Sequence, residues 1–340
     1  MQLLGVALQA CLLPGLIQGG FQLEAAAWRA SEVIEVSEGS RLDGEVSVVA
    51  VWRGSLPRGG VHQFRALGDL APTARRAGAA GPCPQLLGRR LVLFLRRAGV
   101  GEESRLEPAI RGRLDLSVLW LERGRGWALG EGSAPELLDL GPETDLRRHV
   151  ERVGQRACEL QRAAATADPA RRARELVPFA VDPLSRDDAF EAIIACRAPG
   201  VPTLAALLDP ELPTGPAAAR ALARVGGPGA TAALLRALEE EERFWSQARD
   251  ALPDAWWRGE GLAGEDRVAL SARYTRLTAL LLALEWLRPE VAREPVQRQL
   301  RLWSSAGALI DALSGAEEGR VPLICQRVLL ALEPDRPQPE

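Results

Sequence analysis

Lysine and asparagine are both missing from this chain of 340 residues. Histidine occurs only at His62 and His149, and tyrosine and methionine occur once each. The lack of lysine removes whole classes of chemistry. A Walker-type phosphate loop, a kinase ATP site and a Schiff-base enzyme each need that ammonium group. Two histidines with ordinary surface explanations leave a Ser–His–acid triad without a base. Ser133, in Gly-Glu-Gly-Ser-Ala, lacks the G-x-S-x-G turn of a nucleophile elbow. No catalytic residue and no cofactor are expected.

Both missing residues use A-rich codons, and the surplus of Ala, Gly, Pro and Arg fits the same cause, a GC-rich genome. The 42 basic residues, all arginine, are therefore read first as mutational bias. Against 45 acidic residues they leave a net charge of −3, whereas a phosphate binder needs a positive surplus. Nucleic acid is not an expected partner. Of the five cysteines, Cys158, Cys196 and Cys325 sit in helical patterns, where buried reduced thiols are expected. Cys11 and Cys83 complete the set. No Cys-x-x-Cys occurs, so no metal site is expected.

Leu3 to Ile17 is apolar except for Gln9 and contains Pro14. It is too short and broken for a stable membrane span. With Ala25-Ala26-Ala27 as a cleavage triplet it reads as a secretory signal over 1–28, implying export to the periplasm or cell envelope. The alternative is an N-terminal helix docked on the body of the protein.

From Ser31 the texture is that of short strands. Glu32 to Val36, Glu45 to Val51, Val61 to Phe64, Arg89 to Leu95, Leu114 to Glu122 and Gly126 to Leu129 carry β-branched or alternating apolar residues between turn signals. The last two form an expected closing hairpin. Trp52 to Gly60 reads as a break. Five or six such strands predict a small, partly open barrel over 29–135. Val51 to Gly54, Leu56 to Gly59, Cys83 and Leu87 to Leu95 resemble a bacterial version of the netrin-like domain, the OB-type barrel of the tissue inhibitors of metalloproteases. What the resemblance implies is the barrel; the Cys-x-Cys by which those inhibitors reach a protease zinc does not occur here.

After Gly141-Pro142 the period turns helical. Leu146, Val150, Val153, Ala157 and Leu160 make one stripe. Asp168-Pro169 and Ser185 to Asp188 read as helix starts, and Glu239 to Glu242 as a solvated helix end. Ala192 to Gly200 aligns with Ala221 to Gly229 at an offset of 29, one helical hairpin, and residues 219–238 resemble a HEAT-type repeat. Val268 to Leu287 predicts a long helix with Leu270, Tyr274, Leu277, Leu281 and Leu284 on a stripe. The expectation is thus an all-α HEAT-like domain over 136–333 and an unfolded tail over 334–340. The order of parts resembles a group of bacterial exported proteins that pair such a β domain with Leu119 to Glu122, Leu176 to Phe179, a HEAT-like pair and a Trp-Trp segment; this resemblance implies no activity.

Two motifs compete for a functional reading. Gly259 to Gly264 fits G-x-G-x-x-G, but the preceding residues are not a parallel strand, so it reads as a loop and cap. Trp245, Trp256, Trp257, Trp286 and Trp303 fall within about sixty residues. Aromatic packing between helices explains them; the functional alternative makes Trp245, Trp256 and Trp257 anchors for a partner protein. The reading is a non-catalytic, exported interaction protein that binds a protein partner through its helical surface. An enzyme or enzyme-inhibitor module and a nucleic-acid-binding barrel are the alternatives.

Overall fold

A computed structural model describes residues 21–38, 45–63, 90–98, 105–110, 116–129, 137–251, 264–304 and 320–333, together with 253, 255, 306, 309 and 313. Residues 1–20 of the expected signal segment, the loop 66–84, Ser133 and the tail 334–340 lie outside these residues. The chain divides into two compact units, Met1–Glu159 and Leu160–Glu340.

The first unit is an antiparallel sheet with two helices. Its strands are β1 (Glu32–Glu38), β2 (Glu45–Arg53), β3 (Val61–Gln63), β4 (Arg90–Ala98), β5 (Arg105–Pro108), β6 (Val118–Glu122), β7 (Arg125–Leu129) and β8 (Leu137–Pro142). They run in the order β3-β2-β1-β4-β6-β7-β8, with β5 paired to β4. Alternation assigns the two faces. Ile34, Val36, Val46, Val48, Leu91, Leu93, Leu95, Val118, Trp120 and Leu129 form one buried cluster. Val33, Val92, Phe94, Leu119 and Leu121 are buried on the other face.

Two helices serve that second face. Helix α1 (Leu23–Arg29) buries Ala26, Ala27 and Trp28, the preceding Phe21 ring lies 5.7 Å from that of Phe94, and the Ala27 carbonyl accepts from Arg53 at 2.8 Å. Helix α2 (Glu143–Ala164), whose residues up to Glu159 belong to this unit, lays Leu146, Val150, Val153 and Ala157 inward; these and Leu160, where the second unit begins, are buried as the periodicity requires. A Cβ on Gly126 would fall 2.2 Å from Leu146 Cδ1, so a bare backbone lets α2 approach β7.

The observed elements differ from expectation in three places here. Strand β2 continues through Trp52 and Arg53. Strand β5 is only four residues long, too short to leave a periodicity. The hairpin β6–β7 does not close the sheet, because β8 follows, and the β region runs to 142 rather than 135. The sequence of β8 ends in Gly-Pro and reads as a turn; pairing with β7, and Arg125 gripping Asp139 at 2.6 Å, hold it extended. Ala25 to Ala27, the expected cleavage triplet, lies in α1, which leaves that expectation untouched.

The second unit holds α3 (Pro169–Glu175), α4 (Val177–Val181), α5 (Arg186–Ile194), α6 (Val201–Ala206), α7 (Gly215–Val225), α8 (Gly227–Ala251), α9 (Gly264–Leu287), α10 (Arg293–Trp303) and α11 (Val321–Ala331). Asp168 caps α3 as expected, accepting from the Ala170 and Arg171 amides at 2.8 and 2.9 Å. Ser185 does not cap α5: it adopts helical dihedrals and its hydroxyl donates backwards to the Phe179 carbonyl. Helices α5, α7 and α9 pack in succession, and so do α6, α8 and α10, while α11 lies against α9 and α10. Ala218, Ala219, Ala221 and Ala223 are all buried in α7; small side chains let its neighbours approach closely.

Candidate functional site

Three concentrations of polar chemistry stand out among the described residues, two in the sheet unit and one in the helical unit. In the first unit β1 buries two carboxylates. Glu32, 2% exposed, accepts from the Ser55 and Leu56 amides at 2.8 and 3.3 Å and from Arg97 at 2.8 Å. Gly54 must be glycine: its φ is +113° and a Cβ would sit 1.9 Å from Glu32 Oε2. Burial alone would push the Glu32 carboxyl up, but Arg97 and the two amides outweigh it and hold the group below its ordinary range. Glu35, on the helix-covered face, accepts from Arg90, Arg147 and Trp52 Nε1, with the Arg147 guanidinium 4.8 Å from the Trp52 ring. Both carboxylates are consumed by partners that tie strands, a turn and α2 together, which is a structural use.

In the second unit the run Glu239 to Glu242 lies well inside α8 and does not end it. Successive residues turn by 100° around a helix, so the four carboxylates separate. Glu241 points into the core, fully buried, and pairs with buried Arg276 and at 3.3 Å with Arg273. Arg276 also donates to the Leu208 carbonyl at 2.7 Å and to Glu240 at 3.3 Å. Glu242 pairs with Arg298 of α10 at 2.8 Å. The expectation of a solvated end fails because helix length was not legible across the polar run. Sequence reasoning missed this pair; the only signal was a stripe position, since Arg276 directly precedes Leu277.

Directly beside that pair lies an open cleft of about 610 Å³, lined by the end of α6 and the following turn, by α8, and by Arg273 of α9. Its apolar floor includes Ala205, Leu208, Ala233 and Ala237, and its polar groups are Arg236, Arg243, Arg273, Gln247, Asp209 and Glu240. The Arg273 guanidinium stacks 3.9 Å over the Phe244 ring, an arrangement worth about 0.5–2 kcal/mol. The lining holds no imidazole, thiol or hydroxyl.

Of the expected aromatic site only Trp245 lies among the described residues. Trp245 is buried to 0%, with its ring 4.9 Å from Trp303 and 5.1 Å from Phe244. Trp303 in turn meets Tyr274 at 5.3 Å. Trp245 is therefore core and unavailable as a contact anchor, because α8 and α10 pack face to face. Trp286 is 75% exposed. Trp256 and Trp257 lie outside the described residues. Of Gly259 to Gly264, Gly264 opens α9 and the rest lies outside too. His62 sits on β3 and His149 on α2, where it is 3.6 Å from Glu24. Cys196 and Cys325 are buried thiols as expected, but Cys158 is exposed, on the rim of its stripe. Among the described residues no His, Cys, Asp and Glu group could hold a metal ion, and no helix is long and apolar enough to cross a membrane. Comparison with protein-family models, curated proteins and solved structures finds no match to this chain.

Proposed function

We propose that this chain is a non-catalytic interaction protein whose helical unit receives a partner protein in the cleft between α6, α8 and α9. The observation that carries the reading is the cleft lining: three guanidinium groups, an amide, two carboxylates and an aromatic ring over an apolar floor, without a thiol, hydroxyl or imidazole. Arginine and aromatic side chains are the residues that dominate binding energy at protein interfaces.

Support for a HEAT-type stack comes from the two helix layers α5-α7-α9 and α6-α8-α10. The 29-residue offset also recurs in burial, since Ala189, Phe190 and Ile193 are buried as are Ala218, Ala219 and Leu222. Arg197 and Gly226, at the same offset, share positive φ values of 58° and 70°. In stacked repeats the surface along successive hairpins is the usual binding face. Support for a barrel of the OB type is that one core cluster draws on β1, β2, β4, β6 and β7. Export forms part of the proposal on the apolar run Leu3 to Ile17; with α1 folded onto the sheet, processing would fall before Phe21.

The test is a photo-cross-linking residue introduced at Gln247 in the full chain, with exposed Arg220 on α7 as control. Irradiation in cells should give a defined adduct from Gln247 only. Equal labelling from both positions, or none from Gln247, would overturn the proposal.

A further inference from the structure

Resting on the interaction reading above, we infer that the segment seated in this cleft is acidic: an extended stretch of the partner protein carrying carboxylates on either side of an apolar residue.

The argument starts from which arginines are already used. In the helical unit Arg224 pairs with Glu191, Arg276 with Glu241, Arg298 with Glu242 and Arg327 with Glu285, each joining different helices. Arg236 and Arg243 are not used in this way. Among the described residues neither has a carboxylate within ion-pair distance, and Arg243 has only a 3.5 Å contact to the Glu239 carbonyl of its own helix. Both side chains are exposed and both line the cleft.

The acids of the lining do not neutralise them. Asp209 accepts from the Glu211 amide at 2.9 Å, and Glu240 accepts from Arg276. Arg273 is held flat by Phe244 beneath it and by Glu241 behind it. The unspent hydrogen-bonding capacity of the cleft is therefore donor capacity, presented as planar forks that match carboxylates in bidentate fashion.

Geometry narrows the occupant further. Arg236 and Arg243 are seven residues apart on one face of α8, about 10.5 Å along the axis at 1.5 Å per residue. An extended chain covers that distance in about three residues, so acidic side chains roughly two to four positions apart reach both guanidinia. Side chains alternate in facing along an extended chain, so acids four positions apart share a face with the residue midway between them, and that residue meets the apolar floor and the Phe244 ring. A nucleic-acid backbone fits less well: its continuous row of phosphates cannot keep clear of Asp209 and Glu240 while setting an apolar group on the floor, as a peptide with two spaced carboxylates can.

The experiment uses the full-length protein and a short fluorescein-labelled peptide of repeated Asp-Ser-Leu-Ser, which puts Asp and Leu on one face of an extended chain, read by anisotropy at low salt. Comparison probes are the same peptide with Asn for Asp and a labelled oligothymidylate. The expected result is saturable binding of the Asp peptide, weakened about tenfold or more by Asn replacement and by Arg236→Gln/Arg243→Gln, as charge-assisted hydrogen bonds require. Both positions are exposed, so the double variant should melt with the parent, which establishes that it is folded. No binding of the Asp peptide, equal binding of the Asn peptide, or undiminished binding by the double variant would overturn the inference. Tighter capture of the oligothymidylate, lost in the double variant, would overturn it in favour of nucleic acid. The Gln247 cross-link separates the two levels. An adduct mapping to a partner segment without Asp or Glu defeats the acidic inference and leaves the interaction reading standing, whereas no adduct defeats the reading itself.

Discussion

Arg197 holds φ 58° and ψ −140° at the turn between α5 and α6, a conformation glycine enters freely and other L-residues enter at a cost of about 1–3 kcal/mol. Its counterpart 29 residues on is Gly226. Arg197→Gly should therefore stabilise the helical unit by about 1 kcal/mol, after the backbone entropy of glycine is subtracted. Urea melts measure it, and an unchanged or lower midpoint would mean that the turn is held by contacts that the arginine itself supplies. Glu32 gives a second residue-scale expectation, this one in pH. Its folded carboxyl lies below its ordinary value of 4.5, so the stability it contributes is present above that value and lost as pH falls through the lowered one. The gap between wild type and Glu32→Gln in denaturant melts should be widest near neutrality and shrink in acid. A gap that stays constant from neutral to strongly acidic pH would show that the carboxylate charge is not what Ser55, Leu56 and Arg97 recognise.

Elements are held by contacts of two kinds here, apolar stripes and single charged side chains that cross between elements. Trp303 belongs to the first kind, closing α10 onto α8 and α9 with Trp245 and Tyr274. Trp303→Ala should cost about 3–5 kcal/mol, the range for a core aromatic, and a loss below about 1 kcal/mol in thermal melts would place that junction outside the core. Helix α1 makes a different case. Phe21, Ala26, Ala27 and Trp28 are buried, and fully burying a side chain of phenylalanine size is worth about 1.5–3 kcal/mol. A chain starting at Trp28 should therefore melt at lower urea than one starting at Phe21, by about 2 kcal/mol or more; identical midpoints would make α1 an ornament of the sheet rather than part of it. The cleft is itself a product of element placement, because α6 ends at Ala206 while α8 runs on past it for many turns.

On the scale of the molecule the two units are chemically unlike, one knit by strand pairing and the other by helix layers. The thiols report on the second. Burial raises the Cys325 thiol to about 12 and pushes Cys196 up as well, and the thiolate is the reactive form. In a chain with Cys11 and Cys83 replaced by serine, a maleimide should label exposed Cys158 in native buffer and leave Cys196 and Cys325 untouched. Both should then become reactive at one urea concentration, together with the tryptophan fluorescence change of Trp245 and Trp303, if the helical unit unfolds as one body. Labelling of Cys196 well before Cys325 would mean that the turn between α5 and α6 opens before α11 leaves α9 and α10.

Strong periodicity made much of the fold legible in the sequence. The α2 stripe, the long helix α9, the Asp168 cap and the sheet strands β1, β2 and β4 follow from local patterns that need no partner to be recognised. Strands β5 and β8 were not legible, since four residues carry no period and the Gly-Pro end of β8 signals a turn until β7 pairs with it. The chemistry that the chain lacks, above all lysine, was likewise set by the sequence alone. The cleft was decided by tertiary structure. The one local signal for Arg276, its place beside Leu277 on a stripe, does not separate it from Arg236, which lies between Leu235 and Ala237. Only the packing of α6, α8 and α9 determines that Arg276 is spent on Glu241 in the core, while Arg236 and Arg243 face an open cleft with their hydrogen bonds still to make.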